Sequence, residues 1–307
     1  MSKVAVMFPG QGAQCVGMGK TFFDLENVAK EIFSKSSEIT GLDIEHICFD
    51  ENDLINETKY TQIALLTTEL AMLACLEKYG VQFDAAIGLS LGEYAAVVAS
   101  GAIKIEDAFR IVLKRGEAMQ NAYPQGGAMA VVLGMDPEEV EDACNRSSGI
   151  INIANYNCPG QCVISGEIEA VENACKRLRF EGAKRCELLN VSGPFHCSLM
   201  KKAVNELSVL LDNISFYEVK KPYVSNVTAE YVTDSNKIES LLLEQIVSPV
   251  RFMQGIKRLI QDGVTEFIEI GPGRSLSAIV KRIDSNVKLI HIETKGELDD
   301  YLKKQQS

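Results

Sequence analysis

Gly88-Leu89-Ser90-Leu91-Gly92 fits the pattern Gly-x-Ser-x-Gly, and the residues around it decide the fold. The apolar run Ala85-Ala86-Ile87 leads in, and the helix-compatible stretch Glu93-Tyr94-Ala95-Ala96-Val97-Val98-Ala99 leads out. Strand, sharp turn and helix are the setting in which this pattern becomes a nucleophile elbow. The glycines let the turn be tight and keep a Cβ from crowding the serine. Ser90 Oγ then projects from the turn, with the backbone N–H of Leu91 and the start of the helix beside it to hold an oxyanion. An ordinary strand–helix turn with a capping serine fits the same five residues, so the rest of the chain has to supply the other groups.

Working outward, residues 4–8 read as a buried first strand ending in the glycine-rich loop Pro9-Gly10-Gln11-Gly12-Ala13-Gln14. Helical patterns follow. The strongest covers residues 61–79, where Ile63, Leu66, Leu70, Leu73 and Leu76 keep a helical period. A further amphipathic helix covers 105–121. At Tyr123-Pro124-Gln125-Gly126-Gly127 the pattern changes. Strands at 128–133, 150–156, 161–165 and 183–189 alternate with helices at 137–145 and 168–181. That order is β-α-β-β-α-β, the ferredoxin-like unit, so residues 125–191 read as an inserted small domain. The larger domain then takes residues 1–124 and 192–307. It resumes at Ser192-Gly193-Pro194-Phe195-His196, with helices near 198–211, 241–246 and 251–262 and strands at 265–270 and 287–292 around Gly271-Pro272-Gly273. The tail from 297 to 307 is polar and reads as frayed.

A serine hydroxyl needs a base, and the chain has three histidines. His46, in Asp43-Ile44-Glu45-His46, reads as solvated or capping, and His291 as structural within Leu289-Ile290-His291-Ile292. His196 sits in a loop stiffened by Gly-Pro, the kind of place where catalytic residues concentrate. A partly exposed loop histidine is the alternative. As a base it would titrate near its ordinary 6.5. Cys197 beside it points elsewhere in the loop and is set aside as a thiol nucleophile.

Five stretches, Phe8-Pro9-Gly10-Gln11-Gly12-Ala13-Gln14, the 88–92 elbow, Gly193-Pro194-Phe195-His196, Ser225-Asn226-Val227-Thr228-Ala229 and Gly271-Pro272-Gly273, occur in one order along essentially the whole chain. In that order they resemble the malonyl-CoA:acyl carrier protein transacylases. The resemblance implies an α/β fold, an α/β-hydrolase-like core with an inserted ferredoxin-like subdomain. It implies Ser90 as the acylated nucleophile, His196 as its base, and the N–H groups of Gln11 and Leu91 as the oxyanion hole. It implies Arg115 as partner of the malonyl carboxylate, a fit for its planar fork; read alone, in Leu113-Lys114-Arg115-Gly116-Glu117, that arginine is a solvated helix residue. It also implies Gln245 as the residue whose main-chain carbonyl orients the histidine, Asn155 and Asn157 as contacts to coenzyme A, and Phe195 as a limit on the acyl group. One position departs from the family: Leu89 replaces the usual histidine before the nucleophile, which removes any polar support that side chain gives.

The implied reaction passes malonyl from malonyl-CoA through Ser90 to the phosphopantetheine thiol of acyl carrier protein, for fatty-acid or polyketide extension. It needs no cofactor beyond the coenzyme A thioester substrate. A serine esterase shares the elbow, and a non-catalytic carrier-binding module is a third reading. The wider composition bounds these choices. The 307 residues are 46% hydrophobic and 24% charged, ordinary for a soluble protein, and the net charge of −11 argues against nucleic acid and an anionic membrane. No secretory segment or membrane span is expected. Nine scattered cysteines suit free thiols in a reducing cytoplasm. Cys158 and Cys162 are the only close pair, so no metal site is expected. A cytoplasmic monomer is the expectation.

Overall fold

The computed structural model describes residues 3–306. The apolar N-terminal run forms β1 (Lys3–Phe8). Helices α1 (Lys20–Leu25), α2 (Asn27–Thr40), α3 (Ile44–Phe49) and the long α4 (Thr58–Lys78) follow. The helical period of α4 marks only part of its buried surface. Thr61, Gln62, Thr67, Thr68 and Glu69 are buried as well, because α2, α5 and α6 all pack on it. β2 (Ala85–Gly88) and α5 (Gly92–Ala99) flank the Gly-x-Ser-x-Gly turn, and α6 (Ile105–Ala122) completes this part.

Six elements then follow in the predicted β-α-β-β-α-β order: β3 (Gly127–Leu133), α7 (Pro137–Asn145), β4 (Ile151–Cys158), β5 (Gln161–Glu167), α8 (Ile168–Phe180) and β6 (Arg185–Leu188). Their antiparallel sheet has the order β4-β5-β3-β6. It has its own core, in which Val132, Ile153 and Ile164 of the sheet meet Val140, Val171 and Leu178 of the two helices.

The remaining elements are α9 (Lys201–Leu211), β7 (Tyr223–Val224), β8 (Tyr231–Val232), α10 (Ile238–Gln245), α11 (Phe252–Gln261), β9 (Val264–Ile270), α12 (Ser275–Ile283), β10 (Lys288–Ile292) and α13 (Lys295–Gln306). They join β1 and β2 in a six-stranded sheet, β10-β9-β1-β2-β7-β8, parallel throughout except for the last pair. The chain is therefore an α/β-hydrolase-like core carrying a ferredoxin-like subdomain. All nine cysteines are free thiols, and no helix among the described residues is long and apolar enough to cross a membrane.

The tail departs from expectation. It forms α13 because Leu298 and Tyr301, three residues apart, fall on one helical face and are buried in the main core. The Glu297 carboxylate also accepts the N–H groups of Glu293 and Thr294 at its start. α12 and the two-residue strands β7 and β8 were not legible either.

Candidate active site

β1 and β2 run side by side, with Phe8 in register with Gly88. The loops at their C-terminal ends therefore meet, as ligand sites do in open parallel sheets. A Cβ at Gly88 would overlap the backbone of Gly92, and one at Gly92 would overlap the backbone of Phe8 and Pro9. Both pattern glycines are thus required by close approach. Between them Ser90 is forced to φ +53°, the left-handed region. Asn226, buried, holds this strained turn. Its Oδ1 accepts the Ser90 N–H at 2.7 Å and its Nδ2 donates to Gly88 O at 2.7 Å.

His196 is the histidine that meets the serine. It also takes a left-handed φ, +61°, and is 3% exposed. Its Nδ1 lies 2.8 Å from the carbonyl oxygen of Gln245, which can only accept, so Nδ1 carries the proton. Nε2 is then the free acceptor, 2.7 Å from Ser90 Oγ. Burial, and then the positive charge of Arg115, push the imidazole down to about 4. The ordinary value near 6.5 assigned from sequence is thereby corrected: in this dry, cationic setting the ring is neutral at pH 7. His46 is exposed and paired with Asp50, and His291 accepts from Arg274 Nε. Cys197 is buried, with its thiol donating to Pro194 O.

Arg115 is not a solvated helix residue; it is 1% exposed. Nη1 donates to Gln62 Oε1 at 2.7 Å, and Nη2 donates to Gln245 Oε1 at 2.9 Å and to Ser90 Oγ at 3.1 Å. Its guanidinium lies over the Tyr94 ring. Nε is buried with no partner among the described residues, so a buried fork keeps donors unused. Gln245 serves twice. Its backbone orients His196, and its Nε2 donates to Ser90 O at 2.9 Å and to Glu93 Oε2 at 2.5 Å. Glu93, fully buried, also accepts from Asn226 N–H, and burial pushes its carboxyl up to about 7.

Ser90, His196, Arg115 and Gln62 line a cavity of about 180 Å³, room for roughly six waters at ~30 Å³ each, and so for a small acyl group. Gln11, Leu89, Leu91, Asn155, Asn157 and Phe195 share its wall with Ser90, Arg115 and His196. The N–H groups of Gln11 and Leu91 donate to no acceptor among the described residues. Asn155 and Asn157 are buried on β4, and Asn157 Oδ1 has no partner among the described residues. Leu89 makes its part of the wall apolar. Gln62, Glu93 and Asn226 were missed as site residues. The signal for Glu93 was a charged side chain within an otherwise apolar helix, and for Asn226 a polar residue within a motif read only as a whole; Gln62, one of several polar residues in α4, carried no signal of its own.

The family described as "Acyl transferase domain" matches residues 6–293. The malonyl CoA-acyl carrier protein transacylase of Bacillus subtilis is 43% identical over 297 residues, covering 95% of this chain and 94% of its own. A crystal structure of malonyl CoA-acyl carrier protein transacylase from Clostridium perfringens superposes with a TM-score of 0.95 at 44% identity, covering 99% of this chain and 98% of that one. A type II PKS acyl-carrier protein in complex with its malonyl-transacylase gives a TM-score of 0.96 at 36% identity, with coverages of 99% and 100%.

Proposed function

This chain belongs to the acyl transferase domain family, among the malonyl CoA-acyl carrier protein transacylases, and on that premise we propose that it transfers malonyl from malonyl-CoA to the phosphopantetheine thiol of acyl carrier protein. Neutral His196 Nε2 takes the Ser90 proton as Oγ attacks the thioester carbonyl. The N–H groups of Gln11 and Leu91 receive the oxyanion, each donor lowering the barrier by about 3 kcal/mol. The imidazolium returns its proton to the departing thiolate of coenzyme A. In the second half the carrier thiol gives its proton to Nε2 and attacks the malonyl-serine; the Oγ–acyl bond breaks, and the imidazolium returns that proton to Ser90 Oγ. Gln245 O keeps the ring in the required tautomer throughout. Asn155 and Asn157, in the cavity wall, support the coenzyme A arm. The chemistry uses only side chains, backbone N–H groups and the thioester, in a cytoplasmic monomer.

The observation that carries this reading is Arg115, a buried cation in the cavity wall, 3.1 Å from Ser90 Oγ, with an unpartnered Nε. A malonyl carboxylate supplies the missing anion, and an uncharged acyl group leaves the desolvated cation unmatched. Arg115→Ala is expected to lose malonyl transfer by at least two orders of magnitude in kcat/KM while retaining acetyl transfer. Arg115→Lys recovers only part of the loss, because a point charge does not replace the fork. Phe195→Ser opens room for an α-branch and admits methylmalonyl. An Arg115→Ala enzyme that keeps its malonyl-over-acetyl ratio refutes the assignment.

A further inference from the structure

The reaction uses none of the five thiols in the small subdomain, and two of them form a pair. Cys175 on α8 and Cys186 on β6 face each other with their sulfurs 2.7 Å apart. This is within an ångström of the ~2.05 Å bond of a disulfide. The pair emerges only in the fold, since 11 residues separate the two in sequence and the pair close in sequence, Cys158 and Cys162, makes no such contact. Both side chains are nearly buried, at 3% and 2% exposure. They nonetheless form part of the lining of a surface cavity of about 460 Å³, together with Glu172, Lys176, Arg179, Glu187 and Leu188. A small reagent therefore has a way in.

The two thiols are chemically unequal. The Cys186 thiol donates to Cys175 sulfur; that hydrogen bond, and then the positive charge of Arg179, hold the Cys175 thiol below its ordinary value, while the same hydrogen bond and burial push the Cys186 thiol up. The more acidic thiol is the better attacker at neutral pH.

We propose that Cys175 and Cys186 form a reversible thiol–disulfide pair whose oxidant is a low-molecular-weight disulfide. Cys175 thiolate attacks one sulfur of the reagent RSSR, the S–S bond breaks, and one RS⁻ leaves to take up a proton. Cys186, giving up its proton, attacks the Cys175 sulfur of the mixed disulfide and expels the second RS⁻. Two protein thiols are oxidised, one RSSR is reduced to two RSH, and α8 is tied to β6. β6 continues into Leu189 and Val191, both in the wall of the acyl cavity, and on to His196. The bond thus fixes the strand that enters the active site.

The test uses the full chain carrying Cys15→Ser, because Cys15 is the one exposed cysteine and would take up the reagent on its own. After incubation with oxidised glutathione, the protein is expected to lose two of its eight remaining thiols. It should retain no glutathione and yield a cross-linked peptide joining 175 to 186. Its Tm is expected to rise by roughly 5 °C and to return on adding dithiothreitol. Adding Cys186→Ser removes the resolving thiol and traps glutathione on Cys175; adding Cys175→Ser gives no cross-link. A protein that keeps all eight thiols, or that carries glutathione stably on Cys175 with Cys186 intact, overturns the proposal.

Discussion

Arg115 Nη2 stands 3.1 Å from Ser90 Oγ, while Ser90 Oγ stands 2.7 Å from His196 Nε2. One hydroxyl thus accepts from a buried cation and donates to a neutral imidazole. The cation favours the alkoxide that forms on proton transfer, and it also holds the imidazole unprotonated. The residue proposed to choose the substrate is therefore coupled electrostatically to the residue proposed to act as base.

That coupling sets the pH profile. With His196 pushed down to about 4, the acylation rate constant is expected to be flat from about pH 8 to pH 5, with no fall centred near 6.5. His196→Ala is expected to slow acylation by about 10²–10⁴-fold. Arg115→Gln removes the second cause of the depression, so the acid limb of acetyl transfer moves up in pH. Stability follows the same linkage. The unfolded chain protonates this histidine near 6.5 and the folded one only near 4, so stability is lost as pH falls between them. Stopped-flow acylation and urea titrations across pH 5–8 check both; a half-maximal rate near pH 6.5 would contradict the buried, neutral ring.

Asn226→Ala is expected to damage the elbow without touching the reacting atoms. It leaves the Ser90 N–H and the Gly88 carbonyl without their partner. The cost is about 2 kcal/mol of stability, and the φ of +53° at Ser90 loses its support. Urea unfolding and acylation rate should fall together. Unchanged acylation in a folded variant would show that the clamp is dispensable.

Much of this was legible in residues 85–99, because the strand–turn–helix signal is local and its glycines leave a mark in sequence. The ferredoxin-like unit was legible for a similar reason: turn residues separate its elements at short, regular spacing. Arg115 was not. Its helix, α6, has one polar face by sequence, and only the packing of α4 beneath it turns that position inward. Glu93 and the side-chain role of Gln245 were hidden, since a buried polar network is made by partners 152 residues apart; the family resemblance named Gln245 for its main-chain carbonyl alone. α13 was misread because polar composition outweighed the two apolar residues that anchor it.

Glu69 predicts a stabilising change. It is buried in α4, neither carboxylate oxygen has a partner among the described residues, and burial holds it protonated well above the usual range. The unfolded chain ionises it near 4.3, so stability falls as pH rises above that value toward the folded pKa. Glu69→Leu is expected to gain about 1–3 kcal/mol, with an advantage that grows from pH 5 to pH 8. A variant less stable than wild type throughout that range would reveal an unseen partner for the carboxyl.

The central claim is a malonyl-enzyme at Ser90. Malonyl-CoA is added without acceptor, the protein is quenched in acid, and intact mass with peptide mapping locates the adduct. The expected result is one malonyl group, on Ser90, discharged on adding the phosphopantetheine form of acyl carrier protein, and absent from Ser90→Ala although that variant stays folded. A malonyl group on another residue, or an undiminished label on Ser90→Ala, would contradict the account.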